Sequence, residues 1–175
     1  VKKESNDFRI ETESGENHLA SSVILGIGRE RRKLGLEHED EWTGKGVSFC
    51  STCDAPLHRD NVVAIVGGGN AAIEGAVLLS KYASTVYLIY RRGEITRPEP
   101  VNLKLLNESK NIIQLLNTNV TSLLGDDGLS QISIDKPHQN TTKLDVDGLF
   151  IEIGADPRIE IPQQLKINLN EKNEV

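Results

Sequence analysis

Methionine is absent from the chain of 175 residues, and even position 1 is a valine. We therefore expect the sequence to be a piece of a longer protein. Aromatic residues contribute only 4% of the chain, so aliphatic side chains must build most of the hydrophobic core. The length is typical of one domain, with room for fragments of a second.

Other absences exclude whole classes of protein. No apolar run approaches the roughly 20 residues that a membrane-spanning helix needs. Residues 1–5 lack the apolar stretch of a secretory signal, which predicts a cytoplasmic protein with no membrane partner. The formal net charge is −6, so the composition offers no basic surface for nucleic acid.

Cysteine is nearly absent too, and the two that occur, Cys50 and Cys53, have CxxC spacing. Two thiols at this spacing can close a small disulfide ring and exchange two electrons, and the adjacent Asp54 could carry a proton for them. A zinc site would need two more ligands, and the four histidines have no paired spacing, so we predict no metal. The alternatives are that the CxxC only closes a structural loop and that Asp54 is an ordinary turn or cap carboxylate.

Glycine is abundant directly after the apolar run Val62–Val66. A turn of the form GxGxxA opens a predicted helix over 70–82 there, and a strand over 86–90 completes a βαβ unit. In such a turn, backbone N–H groups face the pyrophosphate of a dinucleotide. The predicted nucleotide-binding residues of the turn are Gly67, Gly68, Gly69, Asn70, Ala71 and Ala72.

The end of that second strand indicates which nucleotide binds. NAD-binding domains place a carboxylate there for the ribose hydroxyls, whereas this chain has Arg91 and Arg92. Two guanidinium groups can pair with a 2′-phosphate, which favours NADP(H) over NAD(H). The alternative is that both arginines are ordinary solvated surface charges.

The remaining pattern predicts a three-layer α/β fold of the Rossmann type, with a parallel sheet, helices on both faces and a β-meander. Residues 8–12 and 18–20 predict a hairpin, and residues 22–26 predict a short buried strand. A helix is predicted over 101–109, and apolar segments between 112 and 153 predict the meander. The charged stretch 29–46 is typical of a solvated linker.

Four segments together resemble the low-molecular-weight thioredoxin reductases. They are GKGVSFCSTCD at 44–54, VGGGNAAIE at 66–74, LIYRR at 88–92 and DGLFIEIG at 147–154. The resemblance extends in register over about 23–157. It implies an FAD-containing homodimer in which electrons pass from NADPH through FAD to a CxxC disulfide and then to thioredoxin.

The same resemblance implies roles for individual residues. Cys50 and Cys53 would be the redox pair, and Asp54 the acid that manages the thiol proton. The glycine turn would bind the pyrophosphate, and Arg91 and Arg92 the 2′-phosphate. Family members usually carry a further arginine shortly afterwards, for which Arg97 is the nearest candidate, one residue late.

The chain also departs from the family pattern. Its single GxGxx[GA] turn is the one at Gly67, so the FAD fingerprint is missing, and the C-terminal Gly-Asp motif for FAD is missing too. The resemblance implies that 1–28 and 159–175 are remnants of an FAD domain, that 29–46 is a linker, and that 47–158 is the NADPH-binding and redox-disulfide domain. We expect this piece to bind NADPH without turning over.

Two other functions stay open from the sequence. The parent protein could be a flavoprotein reductase for another disulfide acceptor or with another electron donor. Alternatively, the chain could be a redox-inactive nucleotide-binding or sensor module.

Overall fold

Short apolar segments separated by polar turns fold into strands along most of the chain. The computed structural model describes residues 1–96 and 98–175. In chain order, the strands are β1 (Lys2–Glu4), β2 (Asp7–Glu11), β3 (Asn17–Ala20), β4 (Arg29–Arg31), β5 (Val47–Ser48), β6 (Val62–Val66), β7 (Thr85–Tyr90), β8 (Ile112–Leu116), β9 (Val120–Leu124), β10 (Gln131–His138), β11 (Thr141–Asp145), β12 (Gly148–Ile151) and β13 (Ala155–Pro157). The α-helices are α1 (Ser51–Asp54), α2 (Asn70–Leu79), α3 (Pro100–Glu108) and α4 (Glu160–Gln164), and a 3-10 helix covers Ala55–His58. Within the described residues, no helix has the length and apolar character needed to cross a membrane.

Two units divide the described residues. The smaller one combines Val1–Glu30 with Ala155–Val175 and contains the antiparallel sheet β1–β2–β3. Its β2–β3 pairing confirms the predicted hairpin. The strand predicted over 22–26 is wrong, because no strand of the described residues pairs with this stretch and Ile24 is 97% exposed.

The larger unit, Arg31–Gly154, is built around a five-stranded parallel sheet in the order β5–β12–β6–β7–β8. Its strands are rich in buried aliphatic residues, as expected for strands that are covered on both faces. Strands β6 and β7 pair in the register Val66 to Ile89, so both end at the same edge. At the start and end of the unit, the N–H of Arg32 donates to the carbonyl of Gly154 at 2.9 Å.

Alternation along β6 separates two hydrophobic cores. Val63 and Ile65 pack in the core that contains α2 and α3 residues, whereas Ala64 and Val66 pack in the core that contains the antiparallel sheet β9–β10–β11. The three layers, the parallel sheet and a β-meander are therefore confirmed. The meander is shorter than the predicted 112–153, because β8 and β12 belong to the parallel sheet and only β9–β10–β11 are antiparallel. The expectation of helices on both faces is wrong, because the meander occupies one face.

Residues 31–46 behave differently from the solvated linker expected of them, because their one tryptophan is part of the core. Trp42 is only 2% exposed and packs with the residues on the meander side of the sheet. The loop before it is held by the buried Glu39, whose carboxylate accepts three backbone N–H bonds of 2.8–3.2 Å from residues 34–36. Charge density alone did not indicate this packing.

Candidate functional site

The candidate site residues lie at one edge of the parallel sheet, at the ends of four neighbouring strands. Because parallel strands share their carboxyl edge, the residues that follow β5, β12, β6 and β7 lie side by side there. Cys50 follows β5, Glu152 follows β12, Gly67 follows β6 and Arg91 follows β7. The predicted redox pair and the predicted nucleotide turn are therefore brought together, with the end of β12 between them.

The first glycine of the turn is required by its surroundings. Gly67 has φ of +147°, and a Cβ there would lie 2.3 Å from the carbonyl oxygen of Glu152 and 2.7 Å from the Cβ of Ala72. Its N–H donates to the carbonyl of Ile89 at 3.0 Å. Ala72 itself is fully buried. The chain at this point can only be glycine, which fixes the turn against β12.

The next two glycines differ from each other. A Cβ on Gly68 would lie 2.3 Å from the ring of Tyr90, whereas a Cβ on Gly69 would meet no described atom within 4 Å. Gly69 is the N-cap of α2, and the first turn of this helix has no acidic residue. The N–H groups in the first turn of α2, which have no partner within the helix, therefore face an open space that suits an anion.

Asn70 and Ala71 occupy the first turn of α2 beside this open space. The side-chain oxygen of Asn70 accepts a 2.8 Å hydrogen bond from the N–H of Glu99, which orients its amide, and Ala71 is exposed. The helix ends at Leu79, three residues before the predicted end.

Arg91 and Arg92 are exposed directly after β7. Among residues 1–96 and 98–175, no carboxylate forms a salt bridge with either guanidinium group. Both therefore have the exposure that binding of a phosphate would need. The third candidate arginine, Arg97, lies outside the described residues.

Cys50 and Cys53 form a disulfide across the first turn of α1. Cys50 is the N-cap of this four-residue helix, and its Sγ accepts from the N–H of Cys53 at 3.3 Å. Cys53 is exposed and Cys50 is half-buried. The pair is therefore accessible to a partner molecule from the Cys53 side in the described chain.

Ser48 links the disulfide to the candidate acid. Its hydroxyl donates to Oδ2 of Asp54 at 2.7 Å and accepts from the N–H of Cys50 at 3.0 Å. Ser48 is buried, so this bridge is shielded from water. Sequence reasoning missed Ser48, because a two-residue strand carries no periodic signal.

A second bridge joins the disulfide helix to the end of β12. The N–H and the hydroxyl of Ser51 both donate to Oε1 of Glu152, at 3.3 and 3.2 Å. Ser51 is buried, and a Cβ on Gly75 of α2 would lie 2.7 Å from its hydroxyl oxygen. Neither Ser51 nor Glu152 was a candidate from the sequence, since 101 residues separate them.

His58 lies in the 3-10 helix after Asp54. Its ring makes an edge contact with Phe150, with centroids 5.2 Å apart, and its buried Nδ1 has no hydrogen-bond partner among the described residues. Burial lowers the pKa of His58, and the negative charges of Asp54 and Asp147 oppose that shift. The imidazole is therefore held towards its neutral form.

Comparison with known proteins agrees with this geometry. The family model described as pyridine nucleotide-disulphide oxidoreductase matches residues 1–175. The thioredoxin reductase of Mycolicibacterium smegmatis is 40% identical over 147 residues, which cover 83% of this chain and 47% of that protein. The chain thus spans about half the length of the curated relatives it matches.

Solved structures share the fold over nearly the whole chain. The crystal structure of Lactococcus lactis thioredoxin reductase superposes with a TM-score of 0.84 at 25% identity, covering 98% of this chain and 56% of that one. The bacillithiol disulfide reductase of Staphylococcus aureus superposes with a TM-score of 0.76 at 25% identity, covering 98% and 52%. These comparisons confirm the resemblance seen in the sequence motifs.

Proposed function

We propose that this chain, which belongs to the pyridine nucleotide-disulphide oxidoreductase family, is the NADPH-binding and redox-disulfide part of a thioredoxin reductase. One observation carries the proposal. The Cys50–Cys53 disulfide and the glycine turn at Gly67 follow strands at the same edge of one sheet, with only β12 between them. A nucleotide bound at the turn and the disulfide that would accept its electrons would thus belong to the same layer.

The described residues fit NADPH by their chemistry. The open space at Gly69 gives a pyrophosphate access to the N–H groups of Asn70, Ala71 and Ala72. Arg91 and Arg92, which have no carboxylate partner among the described residues, would pair with the 2′-phosphate. When bound, NADPH supplies two electrons as a hydride.

The disulfide would act as the acceptor and donor of those electrons. Breaking the S–S bond consumes two electrons and two protons and yields the thiols of Cys50 and Cys53. One thiolate then attacks a partner disulfide, and the mixed disulfide is resolved by the second thiol, so that the ring closes again. Asp54, held by Ser48, would take up or release a proton during these steps.

The rest of the reductase would complete the reaction. We assign no FAD-contacting residue, because the single GxGxx[GA] turn of the sequence is the one that we assign to NADPH. Residues 1–28 and 159–175 would belong to an FAD domain of the same polypeptide, and the whole protein would be a homodimer that reduces thioredoxin. The cytoplasmic location also stays a prediction.

A different acceptor is the second candidate function. The bacillithiol disulfide reductase shares the fold over 98% of this chain, so the fold alone does not select thioredoxin. A redox-inactive sensor module is disfavoured by the exposed position of Cys53, which gives a partner thiol or disulfide access.

Calorimetric titration of the chain with NADPH, and separately with NADH, tests the nucleotide proposal. We expect R91A/R92A to weaken NADPH binding by about tenfold or more and NADH binding far less, because NADH lacks the 2′-phosphate. The matched control K136A/K143A removes the same charge from exposed positions of the meander and should change neither. Equal losses for both nucleotides in R91A/R92A would contradict the arginine assignment.

A further inference from the structure

Glu152 occupies the one strand end that separates the disulfide from the glycine turn. Its N–H donates to the carbonyl of Val66 at 2.9 Å, and its own carbonyl packs directly against Gly67. Its side chain turns the other way and accepts both hydrogen bonds from Ser51. One residue therefore contacts both halves of the candidate site.

The position of the carboxylate has an electrostatic consequence for the redox pair. Oε1 of Glu152 lies 3.3 Å from the peptide nitrogen that joins Ser51 to Cys50. The negative charge is thus held one peptide bond from a cysteine that is neutral in the disulfide and becomes negative as a thiolate. The carboxylate of Glu152 and a thiolate of Cys50 would both be negative and would repel each other. The carboxylate therefore disfavours formation of the thiolate.

We propose that Glu152 is a positioning residue that holds α1 through Ser51 and makes the reduced Cys50–Cys53 pair a stronger reductant. This inference rests on the proposed function, in which the dithiol passes its electrons to a partner disulfide. A less stable thiolate favours the return to the disulfide and so favours transfer of the two electrons to the acceptor. Ser51 and Gly75 belong to the same arrangement, because only a small residue at 75 leaves room for the Ser51 hydroxyl.

The test is the redox equilibrium of the 175-residue chain with dithiothreitol, followed by alkylation of the free thiols. In this exchange the protein S–S bond breaks, an S–S bond forms in dithiothreitol, and its two thiols supply both electrons and both protons. E152Q keeps the shape and an acceptor oxygen but removes the charge. We expect it to raise the equilibrium constant for reduction about threefold at pH 8, where thiolate is appreciable, and to have no effect at pH 6.

Two further variants bracket this result. S51A removes one of the two hydrogen bonds that hold the carboxylate, and we expect a smaller shift in the same direction. E108Q removes a carboxylate from the exposed surface of α3 and should match the wild type at both pH values. Asp54, His58 and Glu74, the other titratable groups on α1 and the helices packed against it, are unchanged in all three variants.

An E152Q equilibrium equal to that of E108Q at pH 8 would overturn the proposal. A shift of equal size at pH 6 and pH 8 would overturn it too, since it would indicate a structural effect rather than one of charge. If E152Q does not fold, E152A, which removes the same charge, is measured at the two pH values and decided by the same outcomes. The assay uses neither NADPH nor thioredoxin, so a failure of nucleotide binding would count against the proposed function alone.

Discussion

The glycine turn and the disulfide loop lie at the same sheet edge but are built on opposite principles. At the turn, Gly67 and Gly68 are needed because any side chain would collide with its surroundings. At the disulfide, Ser48 and Ser51 act through side chains that bond to Asp54 and Glu152. The glycine turn thus depends on the absence of side chains, whereas the disulfide loop depends on hydrogen bonds between side chains.

This contrast suits the two chemistries proposed for the edge. A phosphate needs bare backbone N–H groups, and only residues without bulk leave them accessible. A disulfide that opens and closes needs its flanking helix held while a covalent bond is made and broken. Side-chain hydrogen bonds to α1 can persist through both states of the sulfur atoms. The following predictions test the contrast, from the largest expected effect to the smallest.

Substitution within the glycine turn should separate folding from binding. We expect G67A to lower the free energy of unfolding by about 2–4 kcal/mol, because its Cβ would overlap the carbonyl oxygen of Glu152 at an unfavourable φ. Urea denaturation monitored by circular dichroism measures this loss.

G69A is the matched control, because its Cβ would meet no described atom within 4 Å and its φ is −96°. Its free energy of unfolding should stay within about 0.5 kcal/mol of the wild type. Its NADPH affinity should nevertheless fall, since the new methyl group enters the space beside the helix N-terminus. A G67A variant as stable as G69A would show that the turn tolerates side chains.

The disulfide loop should respond to loss of one hydroxyl. S48A removes the bridge from the Cys50 N–H to Asp54, and we expect the free energy of unfolding to fall by about 1–2 kcal/mol. The control S130A loses only an exposed hydroxyl with a 3.4 Å contact and should change stability by less than about 0.5 kcal/mol. Chemical denaturation of both oxidised variants compares them, and equal stabilities would mean that the Ser48 bridge contributes nothing.

Protonation of His58 at acid pH should lower the stability of the folded chain. Because burial lowers its pKa, the folded state binds fewer protons at this site than the unfolded state. Its contribution to stability is complete above the unfolded pKa of about 6.5 and is lost as pH falls through that value towards the lower folded pKa. Melting temperatures between pH 7.5 and 5.5 should therefore drop less in H58Q than in the wild type.

The exposed His18 provides the comparison for that experiment. H18Q should retain the wild-type drop in melting temperature over the same range. Identical pH profiles for H58Q and the wild type would mean that the imidazole does not titrate with folding.

Prediction from sequence succeeded where the signal is local. The apolar run Val62–Val66 that precedes the glycine turn has the bounds of β6, because short-range patterning specifies this strand. It failed for Glu152 and Ser51, which meet only through sheet order. It also failed for Trp42. The charged residues around Trp42 predicted a solvated linker, whereas both Trp42 and Glu39 are buried. Contacts between distant residues leave no mark on a single sequence.

The hydrogen bond between Arg32 and Gly154 places the two chain ends of the larger unit next to each other. Since its first and last residues already meet, a short glycine linker could join them into a closed ring. The ring could then be reopened at the hairpin of Gln139 and Asn140, both of which have positive φ. Such a circular permutant would keep the strand order β5–β12–β6–β7, and with it the adjacency of disulfide and turn, while the chain began and ended in the meander.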